Sequence, residues 1–342
     1  DGKAGVCPST EGQRKLAGML AEELAELGFV NIEISEYSVL TALLPGNLPD
    51  NKAVPTVGWC CHLDTVDAGL SPDVHPQVIR GYQGGDICLN KEKDLWMRTS
   101  EHPEIEKYVG DDIVVTDGTS VLGADNKSAI ANVMTAFDIV VKENRPHGDI
   151  YVAFVPDEEI GLLGAKKIDF SKFPVDFAYT VDGGPIGELE WECFNAAEAT
   201  VRFEGQSIHP GDAKGRMVNA GNLFCDFNAL LPYAQRPEYT EGYEGFYHLE
   251  GVSATVDHAT ARYIVRDHDR ATFEMRKKTL EHAAKTINEK YAREVIRLTI
   301  KDSYYNMAEK IAPHMELIEI ASEAMKKLAI EPKVCPIRGG TD

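Results

Sequence analysis

The signatures that would place this chain on nucleic acid or in a membrane are missing. Of its 342 residues, 35 are Lys or Arg against 55 Asp or Glu, a formal charge of −20. Affinity for phosphates is built from Lys and Arg clusters that this acidic chain does not show, so no nucleic-acid partner is expected. No apolar stretch approaches the ~20 residues needed to cross a bilayer, so no membrane is expected either. Residues 1–10, DGKAGVCPST, carry neither a basic start nor an apolar signal core, and they lack an initiator Met. They give no support for export, and the true N-terminus reads as missing. The seven cysteines are an odd number with no C-x-x-C pair. That argues against a disulfide framework or a thiolate zinc site and for reduced thiols. Internal repeats and low-complexity linkers are also absent.

What is present is an ordinary folded composition, 43% hydrophobic and 26% charged, in a chain long enough for one large domain and a smaller one. From Ser9 a capping pattern opens a helix with Leu16, Met19, Leu20, Leu24 and Leu27 at helical spacing, and Gly28 stops it. Short apolar runs in AVPTVGWCC, YVAFV and FAYTVD alternate with DNKSAIANVMTAFDIVVKEN, where Ile130, Val133, Met134, Phe137 and Val141 share one face. The alternation predicts an α/β domain with a mixed, largely parallel sheet flanked by helices. After residue 193 the order becomes strand, helix, two strands, helix, strand, which is that of a ferredoxin-like α+β sandwich. A helix from Pro313 to Leu328 and the segment CPIRGGTD then read as a return to the first domain. The predicted division is 1–193 with 304–342 as the catalytic domain and 194–303 as an inserted lid, hinged near Phe194 and Ser303.

Ligands of open α/β sheets gather at the carboxyl ends of the strands, and here those ends are acidic. CCHLDTVDA places His62 and Asp64 two residues apart on one face. LGADNKSA brings Asp125, YVAFVPDEE brings Asp157, Glu158 and Glu159, and FAYTVDGG brings Asp182. Each has a plain alternative: a satisfied His–acid pair, an N-cap, a solvated Glu pair, a turn residue. Together, crowded carboxylates repel and take up protons unless a cation neutralises them. One imidazole with several carboxylates suits zinc, manganese or cobalt, as two ions ~3.5–4 Å apart sharing a carboxylate. Asp125 is the candidate bridge, and Asp64 then fixes the tautomer of a metal-bound His62. Of Glu158 and Glu159, one ligates and the other handles a proton, which is the machinery of amide hydrolysis. Spacing alone leaves open which does which.

The segments HLDT, TDGTSVLGADNKSAIA, HGDIYVAFVPDEEIG, YTVDGGPIGELEWE, FNAA, IHPGDAKGRMVNA, TEGYEGFYHL, DSYYNM and IRGGTD span nearly the whole chain in order. In them the sequence resembles the peptidase T family, tripeptide aminopeptidases of the dizinc aminoacylase and glutamate-carboxypeptidase clan. The resemblance implies a zinc-exopeptidase-like catalytic domain with two divalent metal ions, zinc. It implies His62, Asp125 and Asp182 around one ion, Asp125 and Glu159 around the other, Glu158 as general base for metal-assisted attack of water, and Asp64 as the clamp on His62. It also implies a cis peptide bond between Asp125 and Asn126. His209 in SIHPGDAKG, Arg266 in YIVRDHDR and Arg338 in IRGGTD fall among the family's substrate contacts, where an Arg fork suits a carboxylate and an imidazole a carbonyl oxygen. The family's last metal ligand is a His beyond residue 342, so the chain reads as a fragment holding at most one ion tightly. The expected function is a cytoplasmic metallo-aminopeptidase that releases the N-terminal residue of tripeptides, with a small peptide as partner and a homodimer admitted. The alternatives are a dipeptidase or N-acyl amino acid amidohydrolase of the same clan, and a peptide-binding homologue without turnover.

Overall fold

In the computed structural model, which describes residues 6–49 and 54–341, the N-terminal periodicity folds as α1 (Glu11–Glu26). The outermost residues of the expected first domain, 1–5 and 342, lie outside the described residues. The buried face of α1 is Gln13, Ala17, Leu20 and Leu24, whereas Met19 is 59% exposed, so the inward stripe is rotated from the one expected. Thr10 occupies the cap position and makes no side-chain cap bond; the Ser9 hydroxyl is engaged elsewhere. Gly28, at φ +88°, ends the helix in the left-handed turn that lets Gly28 N–H reach Ala25 O and Phe29 N–H reach Leu24 O.

The chain continues through β1 (Val30–Ile34), β2 (Leu40–Leu44), β3 (Val57–His62), β4 (Gln77–Ile79), β5 (Ile87–Asn90), β6 (Leu95–Met97), β7 (Ile113–Val115), α2 (Ala124–Lys142), β8 (Ile150–Val155) and β9 (Phe177–Thr180). Five of these strands form one sheet in the order β1-β2-β8-β3-β9. β3 runs parallel to β8 and β9, and β2 runs antiparallel to β1 and β8. The β1–β2 hairpin was not singled out in the sequence, nor were the small ribbons β4–β7 and β5–β6. α1 and α2 cover one face, burying Cys61, Val152 and Phe154 with Leu20, Leu24, Ile130 and Phe137. The other face buries Cys60, Ala153 and Val155 against Phe173. Adjacent Cys60 and Cys61 therefore point to opposite faces, as strand alternation requires. His62 and Val155, the last residues of β3 and β8, stand opposite one another in register, which brings the loops after both strands to one level.

The remaining elements are β10 (Glu188–Glu190), β11 (Asn195–Glu204), α3 (Ala220–Ala229), β12 (Phe246–Ala254), β13 (His258–Asp267), α4 (Arg270–Tyr291), β14 (Ile296–Tyr304), α5 (Ala308–Ile311), α6 (Glu316–Lys327) and β15 (Lys333–Cys335). β11 to β14 form an antiparallel sheet in the order β12-β13-β11-β14. Its Val201, Phe203, Ala261 and Tyr263 pack with Leu223 and Phe227 of α3 and Phe273 and Leu280 of α4. This is the ferredoxin-like arrangement expected. α3 starts later than its apolar pattern suggests. Asn219 caps the N–H groups of Gly221 and Asn222, and the preceding segment is held as a bridge between Gln206 and Val218.

The chain groups into two compact units, 1–183 with 341–342 and 184–340. Residues 184–193 and 304–340, expected with the first domain, thus group with the second unit. Within that unit β10 pairs parallel with β15, and His268 bridges Tyr243 O and Ile337 O at 3.2 and 3.1 Å. All seven cysteines are free, with Cys88 and Cys225 exposed. Among the described residues no helix is long and apolar enough to cross a membrane.

One buried ion pair anchors the second unit. Arg276 Nε donates to Asp267 Oδ2 at 2.7 Å, with both side chains buried, and Arg276 Nη1 donates to Gln235 Oε1 at 2.6 Å. Removing one partner strands a charge in the interior. Arg276→Ala is expected to destabilise the protein by about 3–5 kcal/mol in urea unfolding. A loss below ~1 kcal/mol, typical of a surface pair, would contradict that view.

Candidate metal centre

The imidazole of His62, 2% exposed, sits between two carboxylates. Nδ1 lies 3.2 Å from Asp64 Oδ1 and Nε2 lies 2.8 Å from Asp125 Oδ1, with Asp182 Oδ1 at 3.8 Å from Nε2. The Asp64 carboxylate is itself held by the loop after β8: Glu158 N–H donates to Oδ1 and Glu159 N–H to Oδ2, each at 3.0 Å. Asn126, joined to Asp125 by a cis peptide bond, donates from Nδ2 to Asp182 Oδ1 and to Val181 O, both at 2.8 Å. Lys127 Nζ donates to Asp64 O and Thr65 Oγ1. The sequence marked Asn126 only for its cis bond and did not mark Lys127 and Thr65, although they lie inside ADNKSA and HLDT.

Asp157, one of the strand-end carboxylates, turns away from this group. It is fully buried with φ +58°, a left-handed conformation that a non-glycine residue adopts at a cost of roughly 1–2 kcal/mol. Its oxygens accept from Ser9 Oγ at 2.6 Å, Ser9 N–H at 2.9 and 3.0 Å and Gln13 Nε2 at 2.8 Å. The loop closes where Gly164 N–H meets Pro156 O at 3.0 Å; a Cβ at residue 164 would lie 2.1 Å from that oxygen, so only glycine fits.

The electrostatics follow from burial and crowding. Burial alone would depress the His62 pKa, but the hydrogen bond and charge of Asp64, with Asp182 and Asp125, raise it to about 9. Burial would raise Asp64, yet bonds from His62 and from the Glu158 and Glu159 N–H groups hold it below the ordinary value. Burial raises both Glu159 and Asp182, and the Asp125 charge adds to it. Burial lowers the Lys127 pKa against the pull of Asp64, Asp125 and Glu159.

The donor set fits a divalent ion. Donor atoms of His62, Asp125 and Asp182 lie within 4.8 Å of one another, as do those of His62, Glu158 and Glu159. A tetrahedral ion with bonds of about 2.0–2.1 Å keeps its ligands about 3.3 Å apart, between the 2.8 and 3.8 Å seen from His62 Nε2. The other expected residues lie in the second unit. His209 is exposed, and its Nδ1 accepts from Gly211 N–H at 3.2 Å. The Arg266 guanidinium lies 5.3 Å from the centre of the Tyr304 ring. Arg338 directs both terminal nitrogens into the 240–244 turn: Nη1 donates to Gly242 O and Glu244 O, Nη2 to Thr240 O and Oγ1. A carboxylate bound through the terminal nitrogens would have to displace some of those bonds.

Comparison with known proteins places this geometry. Residues 192–292 match the family model described as "Peptidase dimerisation domain". Over 343 residues the chain is 48% identical to a peptidase T of a Geobacillus species, covering all of this chain and 83% of the relative. The chain belongs to the peptidase T family. The fold agrees. An aminopeptidase PepT from Bacillus cereus superposes with a TM-score of 0.77 at 21% identity, over 98% of this chain and 82% of that one. A dinuclear metal-binding peptidase of the M20 family from Bacillus subtilis superposes at 0.57 with 13% identity, over 98% and 79%. As a member of the peptidase T family the chain is a metallo-aminopeptidase.

The raised His62 pKa sets a pH dependence. A folded-state value near 9 against an unperturbed ~6.5 means that the proton stabilises the metal-free protein fully below ~6.5, an advantage lost as pH rises toward 9. A metal must displace that proton. At pH 7.5, titration of metal-stripped protein with a divalent ion should release about one proton, seen as unequal calorimetric heats in phosphate and Tris. Equal heats would mean that His62 is already neutral.

Proposed function

We propose that the chain is a metal-dependent exopeptidase releasing the N-terminal residue of tripeptides, with zinc as the metal, His62, Asp125, Glu159 and Asp182 as ligands, Asp125 bridging, and Glu158 as general base. The observation that carries this reading is the convergence of His62, Asp125 and Asp182 beside Glu158 and Glu159 in a chain half identical to peptidase T. The dinuclear centre of the Bacillus subtilis neighbour supports two ions. Once bound, divalent ions supply Lewis acidity toward the scissile carbonyl and lower the pKa of water. Asp64 orients the His62 ring through Nδ1. The Glu158 carboxylate takes a proton from the attacking water and returns it to the leaving amine nitrogen.

His209 and Arg266, in a substrate-reading domain over 194–303, and Arg338, beyond it in the sequence, are assigned to the peptide substrate, with Arg338 drawing on donors now spent on the 240–244 turn. The match to a dimerisation domain over residues 192–292 supports a homodimer. The acidic charge and free thiols suit a cytoplasmic setting.

Glu158→Ala should reduce tripeptide turnover by about 10²–10⁴-fold while metal content by mass spectrometry stays near that of the unsubstituted protein. Glu159→Ala should lose metal and activity together. Metal loss matching the activity loss in Glu158→Ala would make Glu158 a ligand instead. For Arg266→Ala, hydrolysis of free tripeptides should fall much further than that of C-terminally amidated analogues, and equal losses would remove Arg266 from carboxylate recognition.

A further inference from the structure

We infer that Asp157 is a positioning residue for hydrolysis and that the N-terminal turn, through Ser9 and Gln13, forms part of the active-site scaffold. This rests on the reading of Glu158 as general base. Two sets of hydrogen bonds, joined by the backbone from Asp157 to Glu159, carry it. Ser9 and Gln13 donate to the Asp157 carboxylate, and Gln13 Oε1 accepts from Asp157 N–H at 3.0 Å. Asp157 is thus gripped at both its side chain and its backbone, by residues 144 and 148 positions away. The next two N–H groups, of Glu158 and Glu159, converge on Asp64, and Asp64 holds His62.

The backbone conformation explains why such a grip is required. In an extended strand, successive residues point to opposite sides, and consecutive N–H groups cannot meet on one carboxylate. The left-handed residue at 157 turns the chain so that they do, in the manner of backbone anion-binding concavities. A buried left-handed residue persists only where its surroundings over-determine it. Glycine would adopt this conformation freely, but it would leave Ser9 and Gln13, the latter 4% exposed, facing an empty acceptor position. The carboxylate fixes the aim of Glu158 from behind, at a distance from the donors grouped around His62.

The test compares Asp157→Asn and Ser9→Ala, alone and combined with Glu158→Gln, in the full chain loaded with the same divalent metal. Asp157→Asn keeps the size of the side chain and, with its oxygen at the Oδ1 position, the bonds from Ser9 Oγ and Gln13 Nε2, but it removes the charge and turns a donor toward Ser9 N–H where Oδ2 now accepts. It should lower kcat on a tripeptide about 10–100-fold, with KM and metal stoichiometry unchanged. Ser9→Ala should act in the same direction by a smaller factor. In the Glu158→Gln background neither change should lower the residual rate further, because a residue acting through Glu158 has nothing left to aim. An unchanged kcat in folded Asp157→Asn, or an undiminished loss in the double variant, would overturn the proposal. Should Asp157→Asn fail to fold, the Ser9→Ala pair decides by the same criteria. Full activity in Glu158→Gln alone would instead refute the general-base reading, and the kcat of Asp157→Asn, with metal content intact, would still decide the role of Asp157.

Discussion

The Asp64 carboxylate accepts from the His62 ring and from two successive backbone N–H groups of the loop after β8, and the arrangement of the acidic cluster depends on it. Without Asp64 the two loops would leave the sheet at one level, held only by the backbone bond from Leu63 N–H to Val155 O. Its position follows from β3 and β8 being parallel and in register up to His62 and Val155, so the loops leave the sheet side by side. A carboxylate taking two main-chain donors and an imidazole holds its charge firmly, and a charge so fixed keeps the ring opposite it in one orientation. The same residue joins the order of the sheet to the chemistry at its rim.

Charge decides which parts of the site the protein holds by itself. Asp64 is matched internally by His62 and the loop amides, and Lys127 donates to its carbonyl. Glu159 and Asp182 are not matched to the same degree, and burial together with Asp125 pushes both toward protonation. Carboxylates in that condition are the ones a divalent cation would relieve. The clamp is built in, while on the ligand face His62 offsets the charge only in part.

Much of this was legible in the sequence, and the exceptions have physical causes. The apolar run that ends in His62, the helical stripe of Ile130, Val133, Met134 and Phe137, and the strand-helix order after residue 193 are local patterns, and they translated directly into elements, while Asp64 stands just past the end of β3. The β1–β2 hairpin escaped because VNIEI and LTALL are short runs without strong turn chemistry between them. The destination of Asp157 escaped for a different reason. Its neighbours suggested a strand-end carboxylate facing the cluster, but a single left-handed residue reverses that direction, and the partners that hold it lie far off in sequence. The bonds that Arg338 makes to the 240–244 turn were equally out of reach of spacing. A guanidinium suited to a carboxylate also suits four acceptors of a turn, and no spacing rule distinguishes them. The grouping of residues 304–340 with the second unit depends on long-range pairings such as that of β10 with β15.

The free cysteines carry a practical consequence. Thiolates react where solvent and reagent reach them, and buried thiols stay inert. Exposed Cys88 belongs to the first unit and exposed Cys225, on α3, to the second, while Cys60 and Cys61 are shielded within the sheet. Gentle thiol chemistry therefore favours one exposed attachment point on each unit, ahead of the half-buried Cys7 and Cys335, without disturbing the strand that carries His62. A donor and an acceptor dye placed there would report the separation of the two units in solution, with and without peptide, in a chain that needs no engineered handles.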